Sequence, residues 1–354
     1  WETCLLEPHP DSAMEAYARK RQGMPNPTVR YFAPTPWLAR AVVDMHPEYG
    51  MLMHLDKTTA DLIGLVVSQE NSCRFCYAVV RMLLWMQGMS RARIERVEQE
   101  LARDDLPART AAAIAFARSQ SRLGPPQARQ AREALRCAGF SDDELKEIAF
   151  TVAHTDFMNR VYTIPAIPVG AVERMTDQVH VRLLRPLLGR IIRSRHARGQ
   201  ATAQAEVPAY PYARLVRACG GSPIAALLGQ TIAEMWESPH LPRRCKLLML
   251  AVVAKGLGCE GCAAEMHDLL GAEGLDEATA EQILAHLDAP DLDPVERLLL
   301  PFARATIWYE PAALQRRARA LRDQLPEPAF LEAIGVAALA NGLCRMAATV
   351  MEEA

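Results

Sequence analysis

The sequence repeats itself at a spacing of 186 residues, and this repeat constrains the fold more strongly than any single motif. Residues 54–76 (HLDKTTADLIGLVVSQENSCRFC) align without a gap with residues 240–262 (HLPRRCKLLMLAVVAKGLGCEGC). The same offset places Phe-Ala-Arg at 116–118 on Phe-Ala-Arg at 302–304. Because one offset holds in separate segments, the sequence predicts two tandem copies of one fold.

The repeated unit has the sequence pattern of helices. The run 57–67 mixes Ala, Leu, Ile and Val without an alternating polar face, and it is longer than a usual strand. Ser141 with Glu144 three residues later is typical of a helix N-cap with a capping box, and Asp276 or Thr279 is expected to begin a helix in the second copy. Since alternating apolar–polar runs are absent, the predicted fold class is all-α.

The predicted organisation is a helical domain over 1–165, a linker over 166–212 and a second helical domain over 213–354. The linker contains a segment without acidic residues that is rich in arginine: Arg182, Arg185, Arg190, Arg193, Arg195 and Arg198. We expect the Leu and Ile side of this segment to dock on the protein. The alternative is a surface that attracts anionic lipid or an acidic partner.

Composition excludes several classes of protein. The 354 residues are 50% hydrophobic and carry a formal net charge of −2, which gives no electrostatic signature for nucleic acid. No apolar run reaches the roughly 18–20 residues that cross a bilayer. Nine cysteines are too few for a disulfide scaffold, and no secretory signal pattern is visible. We therefore expect a cytoplasmic protein without a transmembrane segment.

Four of the nine cysteines form two C-x-x-C pairs at equivalent places of the repeat, Cys73–Cys76 and Cys259–Cys262. Such pairs bind zinc, form a redox-active disulfide or are simply buried. A zinc site needs four ligands, and the one nearby supplement is His267, whose counterpart in the first copy is a cation. We therefore predict no metal, and we favour redox chemistry over a structural role.

A helix N-terminus would favour the thiolate form of these cysteines. Residues 69–72 and 255–258 are expected to break two helices, with Ser72 capping the next helix and Gly258 allowing a tight entry. The two sulfurs of each pair would then lie on one helix face. One thiolate can attack an oxidant to give a sulfenic acid, and the other thiol can resolve it as a disulfide.

The helical run, the short break, the C-x-x-C motif and the downstream pattern over 115–161 (AFARSQSRLG…AGFSDDELKEIAFTVAHTDFMNRV) together resemble the carboxymuconolactone decarboxylase / alkylhydroperoxidase D-like superfamily, and its peroxidase-related branch in particular. The resemblance covers roughly 30–165 and 215–354. It implies two tandem all-helical domains, assembly as homo-oligomers with a trimer favoured, and reduction of hydroperoxides through the C-x-x-C pairs. The disulfide would be reduced by a partner. We predict no cofactor other than the redox-active cysteines themselves.

The resemblance also implies roles for individual residues. The second cysteine of each pair, Cys76 and Cys262, would attack the peroxide, and Cys73 and Cys259 would resolve. The family relay has a Glu twelve residues before the first cysteine, where this chain has Asp61 in the first copy and Leu in the second. The relay His four residues after the second cysteine is absent, and His267 stands one position late.

Other residues could rebuild the proton relay. His54 and His240 each stand 19 residues before the first cysteine of their pair. Glu70 could take a proton, and Arg81 could lower a thiol pKa. The five remaining cysteines (Cys4, Cys137, Cys219, Cys245 and Cys344) are interpreted as ordinary buried or loop thiols.

The sequence favours a thiol-dependent oxidoreductase, with Cys259–Cys262 and His267 as the better-equipped centre. A second hypothesis is a decarboxylase, lyase or isomerase of a small carboxylate, in which Arg81 and the histidines bind or protonate the substrate. A third hypothesis is a helical protein without catalysis that senses redox state through its cysteine pairs.

Overall fold

The computed structural model describes residues 3–23, 25–46, 50–100, 106–123, 128–170, 172–195, 199–201 and 210–351. Within these ranges the chain forms eighteen α-helices, a 3₁₀-helix over Pro27–Tyr31 and no strand, which confirms the all-α prediction. The helices are α1 Ser12–Gln22, α2 Pro36–Asp44, α3 Lys57–Glu70, α4 Arg74–Met86, α5 Arg91–Glu98, α6 Ala108–Leu123, α7 Ala128–Cys137, α8 Asp142–Thr163, α9 Val172–Met175, α10 Val179–Arg195, α11 Ala213–Ala218, α12 Pro223–Glu237, α13 Arg243–Leu257, α14 Glu260–Ala272, α15 Glu277–His286, α16 Pro294–Trp308, α17 Pro311–Arg322 and α18 Glu327–Val350.

The internal repeat is visible in where the helices begin. Helices α3, α4, α5 and α6 each begin 186 residues before α13, α14, α15 and α16, respectively. In both copies the first two of these helices pack side by side, and the turn between them carries the C-x-x-C motif. The order of these helices, and the turn that positions the cysteines, are therefore the same in both copies.

The predicted helix starts are confirmed at two caps. Ser141 caps α8: its hydroxyl accepts from the Glu144 N–H, and the Glu144 carboxylate accepts from the Ser141 N–H, which completes a capping box. Asp276 caps α15 and accepts from the Thr279 N–H at 3.0 Å. Both caps satisfy backbone N–H groups that have no partner within the helix.

The long helices α8 and α18 pack against each other, although they occupy equivalent places in the two copies. Most of their side chains are buried, and one apolar cluster runs through both copies. The approach is close, since a Cβ on Gly342 would lie 2.6 Å from the Ala153 carbonyl oxygen. The copies thus share a core, while the predicted domain boundaries stay a prediction.

The arginine-rich segment forms α10, and it docks by one face only. Val181 is buried against the core, and the guanidinium of Arg185 lies 4.7 Å from the Trp85 ring and donates to the Trp85 carbonyl at 2.9 Å. By contrast Leu183 and Leu187 face solvent. Leu188 and Ile192 also pack against the core, so the Leu and Ile side of the helix docks in part, as expected. Arg198 lies outside the described residues.

Helix α18 alone among the described helices is long and apolar enough to cross a bilayer. Its most apolar 18-residue window has a mean hydropathy of 1.5, and 89% of that window is buried inside the protein. Such burial is typical of a core helix, so the helix provides no clear transmembrane segment.

Candidate functional site

A left-handed turn followed by a helix start positions each cysteine pair. Ser72 (φ 49°) and Gly258 (φ 67°) take the left-handed conformation at the end of the preceding helix. The N-cap of α4 is Cys73, whose sulfur accepts from the Cys76 N–H at 3.4 Å, and the N-cap of α14 is Cys259. The prediction that Ser72 caps α4 is wrong, because Ser72 is used for the turn and the cap falls one residue later.

Three thiols meet in the second copy. The sulfurs of Cys259 and Cys262 are 2.8 Å apart, and the sulfur of Cys344, on α18, lies within 4.8 Å of both. The Tyr212 hydroxyl contacts the Cys344 sulfur at 3.5 Å. All three cysteines are buried, with exposures of 4%, 1% and 0%. Cys344 is buried, as expected, but its place beside the pair is a contact that the sequence did not predict.

The three thiols have different affinities for a proton. Contacts with the Cys262 and Cys344 thiols lower the pKa of Cys259 below the ordinary thiol value, despite burial. Contacts with the Cys259 and Cys344 thiols, followed by burial, raise the pKa of Cys262. Burial is the largest cause of the raised pKa of Cys344. The direction of these pKa shifts favours the thiolate form at Cys259, the N-cap of α14, where backbone N–H groups also favour a negative charge.

The first copy has a related pair in different surroundings. Burial raises the pKa of Cys73, but the Cys76 thiol and the Thr163 hydroxyl together bring it below the ordinary value. Burial and the contact with Cys73 raise the pKa of Cys76. Tyr309, from the second copy, lies near this pair and donates to the Asn159 carbonyl at 3.0 Å. The first pair is thus enclosed by residues of both copies.

The two acidic relay candidates pair with other side chains. The Asp61 carboxylate binds Lys57 at 2.9 Å and the Gln87 amide at 2.6 Å. Because Gln87 follows the last residue of α4, this contact lies at the opposite end of the α3–α4 hairpin from Cys73. The Glu70 carboxylate binds the Arg122 guanidinium at 2.8 Å. In the described structure, neither acid hydrogen-bonds to a thiol.

The histidine and arginine candidates lie nearer the surface than the thiols. The side chain of His267 is 39% exposed and 4.0 Å from Glu277. His54 is exposed and His240 is half-buried, in the loops before α3 and α13. Arg81 binds the Glu98 carboxylate at 3.1 Å. Across the described ranges no hydrogen bond joins any of these side chains to a cysteine of either pair.

A buried polar network connects the two copies between the cysteine pairs. Asp156 on α8 binds Arg160 at 2.6 Å and Arg345, on α18, at 3.4 Å. Arg160 also donates to the Thr306 carbonyl in the second copy, and Arg345 donates to the Gln120 carbonyl in the first. Each arginine therefore reaches across to the other copy, which sequence reasoning did not predict.

Two cavities of the described structure lie away from the thiols. A surface cavity of about 870 Å³ is lined by residues including His9, Arg322 and Glu327. A second void, between α8 and α18, is apolar and has no room for water.

Comparison with known proteins finds no family model that matches this chain and no curated protein with a significant match.

Proposed function

We propose that this chain is a dithiol–disulfide oxidoreductase that reduces hydroperoxides, with Cys259–Cys262 as its principal centre. The observation that carries the proposal is the 2.8 Å separation of the two sulfurs at a helix N-terminus. A disulfide bond is about 2.05 Å long, so a small shift of one side chain closes it. The resemblance to the peroxidase-related branch favours the same reaction.

The first chemical step is attack by the Cys259 thiolate on the hydroperoxide. A sulfur–oxygen bond forms, the oxygen–oxygen bond breaks, and the leaving alkoxide takes the proton of the Cys262 thiol to become an alcohol. Cys259 is then a sulfenic acid and Cys262 a thiolate. The resemblance gives the attacking role to Cys262, but the lowered pKa of Cys259 favours the opposite assignment.

The second step closes the disulfide. The Cys262 thiolate attacks the Cys259 sulfur, and hydroxide leaves and becomes water with a proton from solvent. The two thiols have lost two electrons, which reduced the hydroperoxide to an alcohol and water. A partner dithiol restores the reduced pair by thiol–disulfide exchange. The proposed setting is a cytoplasmic homo-oligomer, in which Cys73–Cys76 forms a second centre.

The experiment is single-turnover oxidation by tert-butyl hydroperoxide with thiol counting and peptide mass spectrometry. We expect a Cys259–Cys262 disulfide in the parent protein. We also expect a sulfenic acid on Cys259, trapped by dimedone, in Cys262→Ser. In Cys259→Ser the rate of hydroperoxide consumption at this centre should fall at least ~100-fold, because the nucleophile has been removed.

The matched control is the double variant Cys73→Ser/Cys76→Ser, which leaves the second copy intact and should retain the Cys259–Cys262 disulfide. If Cys259→Ser forms a sulfenic acid on Cys262 at the parental rate, the assignment of the nucleophile is wrong. If the variant without all four motif cysteines consumes hydroperoxide as fast as the parent, the proposed function is wrong.

A second candidate function is redox sensing without turnover. The enclosure of the thiols favours it, because Cys76, the most exposed thiol of the two pairs, is only 9% exposed. In that case one equivalent of hydroperoxide oxidises each pair, and adding a dithiol reductant gives no sustained consumption. The oligomeric mass, compared with and without reductant, should then change. Sustained turnover with an unchanged mass would exclude this function.

A further inference from the structure

The three-thiol cluster has a feature that neither the repeat nor the redox reaction explains. Disulfide formation needs two thiols, yet Cys344 completes a triangle in which all three sulfurs lie within 4.8 Å of one another. The residue equivalent to Cys344 in the first copy is Met158, so the third thiol belongs to the second copy alone. Three buried thiols this close together could hold a metal ion.

We propose that Cys259, Cys262 and Cys344 of the reduced protein bind one soft, thiophilic monovalent ion, with Cu(I) as the ion that fits best. Thiolate ligands select soft ions such as Cu(I) and Zn²⁺ over hard cations. Zn²⁺ prefers four ligands, whereas Cu(I) forms stable three-coordinate thiolate complexes, for which only the second copy supplies all three sulfurs. Burial of all three cysteines keeps water from supplying a fourth ligand.

The surroundings also accommodate the charge. A Cu(I) ion with several thiolates is anionic overall, and an uncompensated buried charge is costly. The buried guanidinium of Arg345, next to Cys344, interacts electrostatically with that thiol as well as with Asp156, to which it is paired at 3.4 Å. The Tyr212 hydroxyl at 3.5 Å can donate to the Cys344 sulfur once that sulfur is a ligand. Binding would release thiol protons without oxidising any group.

Ion binding and the disulfide exclude each other. A Cys259–Cys262 disulfide removes two of the three thiolate ligands, so oxidised protein should release the ion. This dependence follows from the shared sulfurs and holds whatever oxidant closes the disulfide. The ion site can therefore be tested independently of hydroperoxide reduction, and a failure of one does not imply a failure of the other.

The experiment is anaerobic titration of the reduced full-length chain with Cu(I), in competition with a chromophoric Cu(I) chelator. We expect one equivalent to be withheld from the chelator and a thiolate-to-copper absorption band in the ultraviolet. Peptide mass spectrometry should show the three cysteines protected from alkylation while Cys73 and Cys76 still react. The same titration with Zn²⁺ should show weaker binding.

Variants identify the ligands. Cys344→Ser and Cys344→Ala should each weaken Cu(I) binding at least tenfold, while Cys344→Ser still forms the Cys259–Cys262 disulfide. The matched control, Cys73→Ser/Cys76→Ser, should bind as the parent does, and circular dichroism verifies that each variant is folded. Parental Cu(I) affinity in both folded Cys344 variants, or loss of binding in the control, would overturn the site. Tighter binding of Zn²⁺ than of Cu(I) would overturn the choice of ion.

Discussion

Ser72 and Gly258 occupy the same left-handed turn in the two copies, but only glycine takes this conformation without steric cost. We expect Ser72→Gly to raise the free energy of unfolding by up to ~1 kcal/mol. We expect Gly258→Ala to lower it by about 1–2 kcal/mol, because a Cβ is disfavoured at positive φ. Urea denaturation followed by circular dichroism measures both changes.

Each variant is the control for the other, because the two turns precede equivalent C-x-x-C motifs. A stabilising Gly258→Ala would show that the second turn does not adopt the left-handed conformation. Because the substitutions leave the thiols in place, both variants should still form their disulfides.

The lowered pKa of Cys259 predicts how its reactivity depends on pH. Iodoacetamide reacts with the thiolate, so labelling of Cys259 should reach half its maximal rate at a pH below 9.0, the ordinary thiol pKa. The double variant Cys262→Ala/Cys344→Ala lacks the two thiols that donate to the Cys259 sulfur, so the pH of half-maximal labelling should rise. Peptide mass spectrometry after timed labelling measures the profile, and an unchanged midpoint in the double variant would contradict the assigned cause.

What the sequence predicts at this scale depends on the repeat. The C-x-x-C pairs and their place at helix starts follow from two copies that agree, and they are confirmed. Cys344 carries no such signal, because its counterpart is Met158 and its partners lie more than 80 residues earlier in the chain. Only the packing of α18 against α14 brings the third sulfur to the pair.

Helices α8 and α18 can pack closely because α18 presents a glycine at the crossing. We expect Gly342→Ala to destabilise the protein by about 1–3 kcal/mol, since its Cβ would lie 2.6 Å from the Ala153 carbonyl oxygen. The matched control is Gly271→Ala near the end of α14, where a Cβ meets nothing within 4 Å. That change should raise stability by up to ~1 kcal/mol, and chemical denaturation compares the two.

If Gly342→Ala is as harmless as Gly271→Ala, the helices do not approach as closely as described. A capping box in the sequence predicts the start of α8, whereas α18 begins after Pro326 without a side-chain cap and is favoured by its composition alone. Their mutual packing does not, because a helix that is apolar on nearly every face has no sequence periodicity that selects its neighbour.

At the scale of the whole molecule, the network around Asp156 makes the two copies depend on each other. Asp156→Asn leaves Arg160 and Arg345 buried without a compensating carboxylate, so we expect the free energy of unfolding to fall by about 3–5 kcal/mol.

We also expect the parent chain to unfold in one transition, followed identically by fluorescence and circular dichroism. Two separate transitions would instead support independent domains.

A control for the charge change is Asp268→Asn. Asp268 pairs with Arg214 at 3.2 Å, and both side chains are well exposed. Such a surface pair contributes little, so this variant should unfold within about 0.5 kcal/mol of the parent. A comparable loss in both variants would show that burial of the Asp156 network is not what makes it important.

Because α8 and α18 belong to one chain, their equivalent positions can mutate independently of each other. In an assembly of identical subunits, one codon specifies both symmetry-related places, so a substitution useful at one is imposed on the other. Here codons 158 and 344 mutate separately, and one specifies a thioether while the other specifies a thiol. Selection can therefore change the residue at one of these two positions while the other stays as it is, and the packing of α8 against α18 holds both within a single chain.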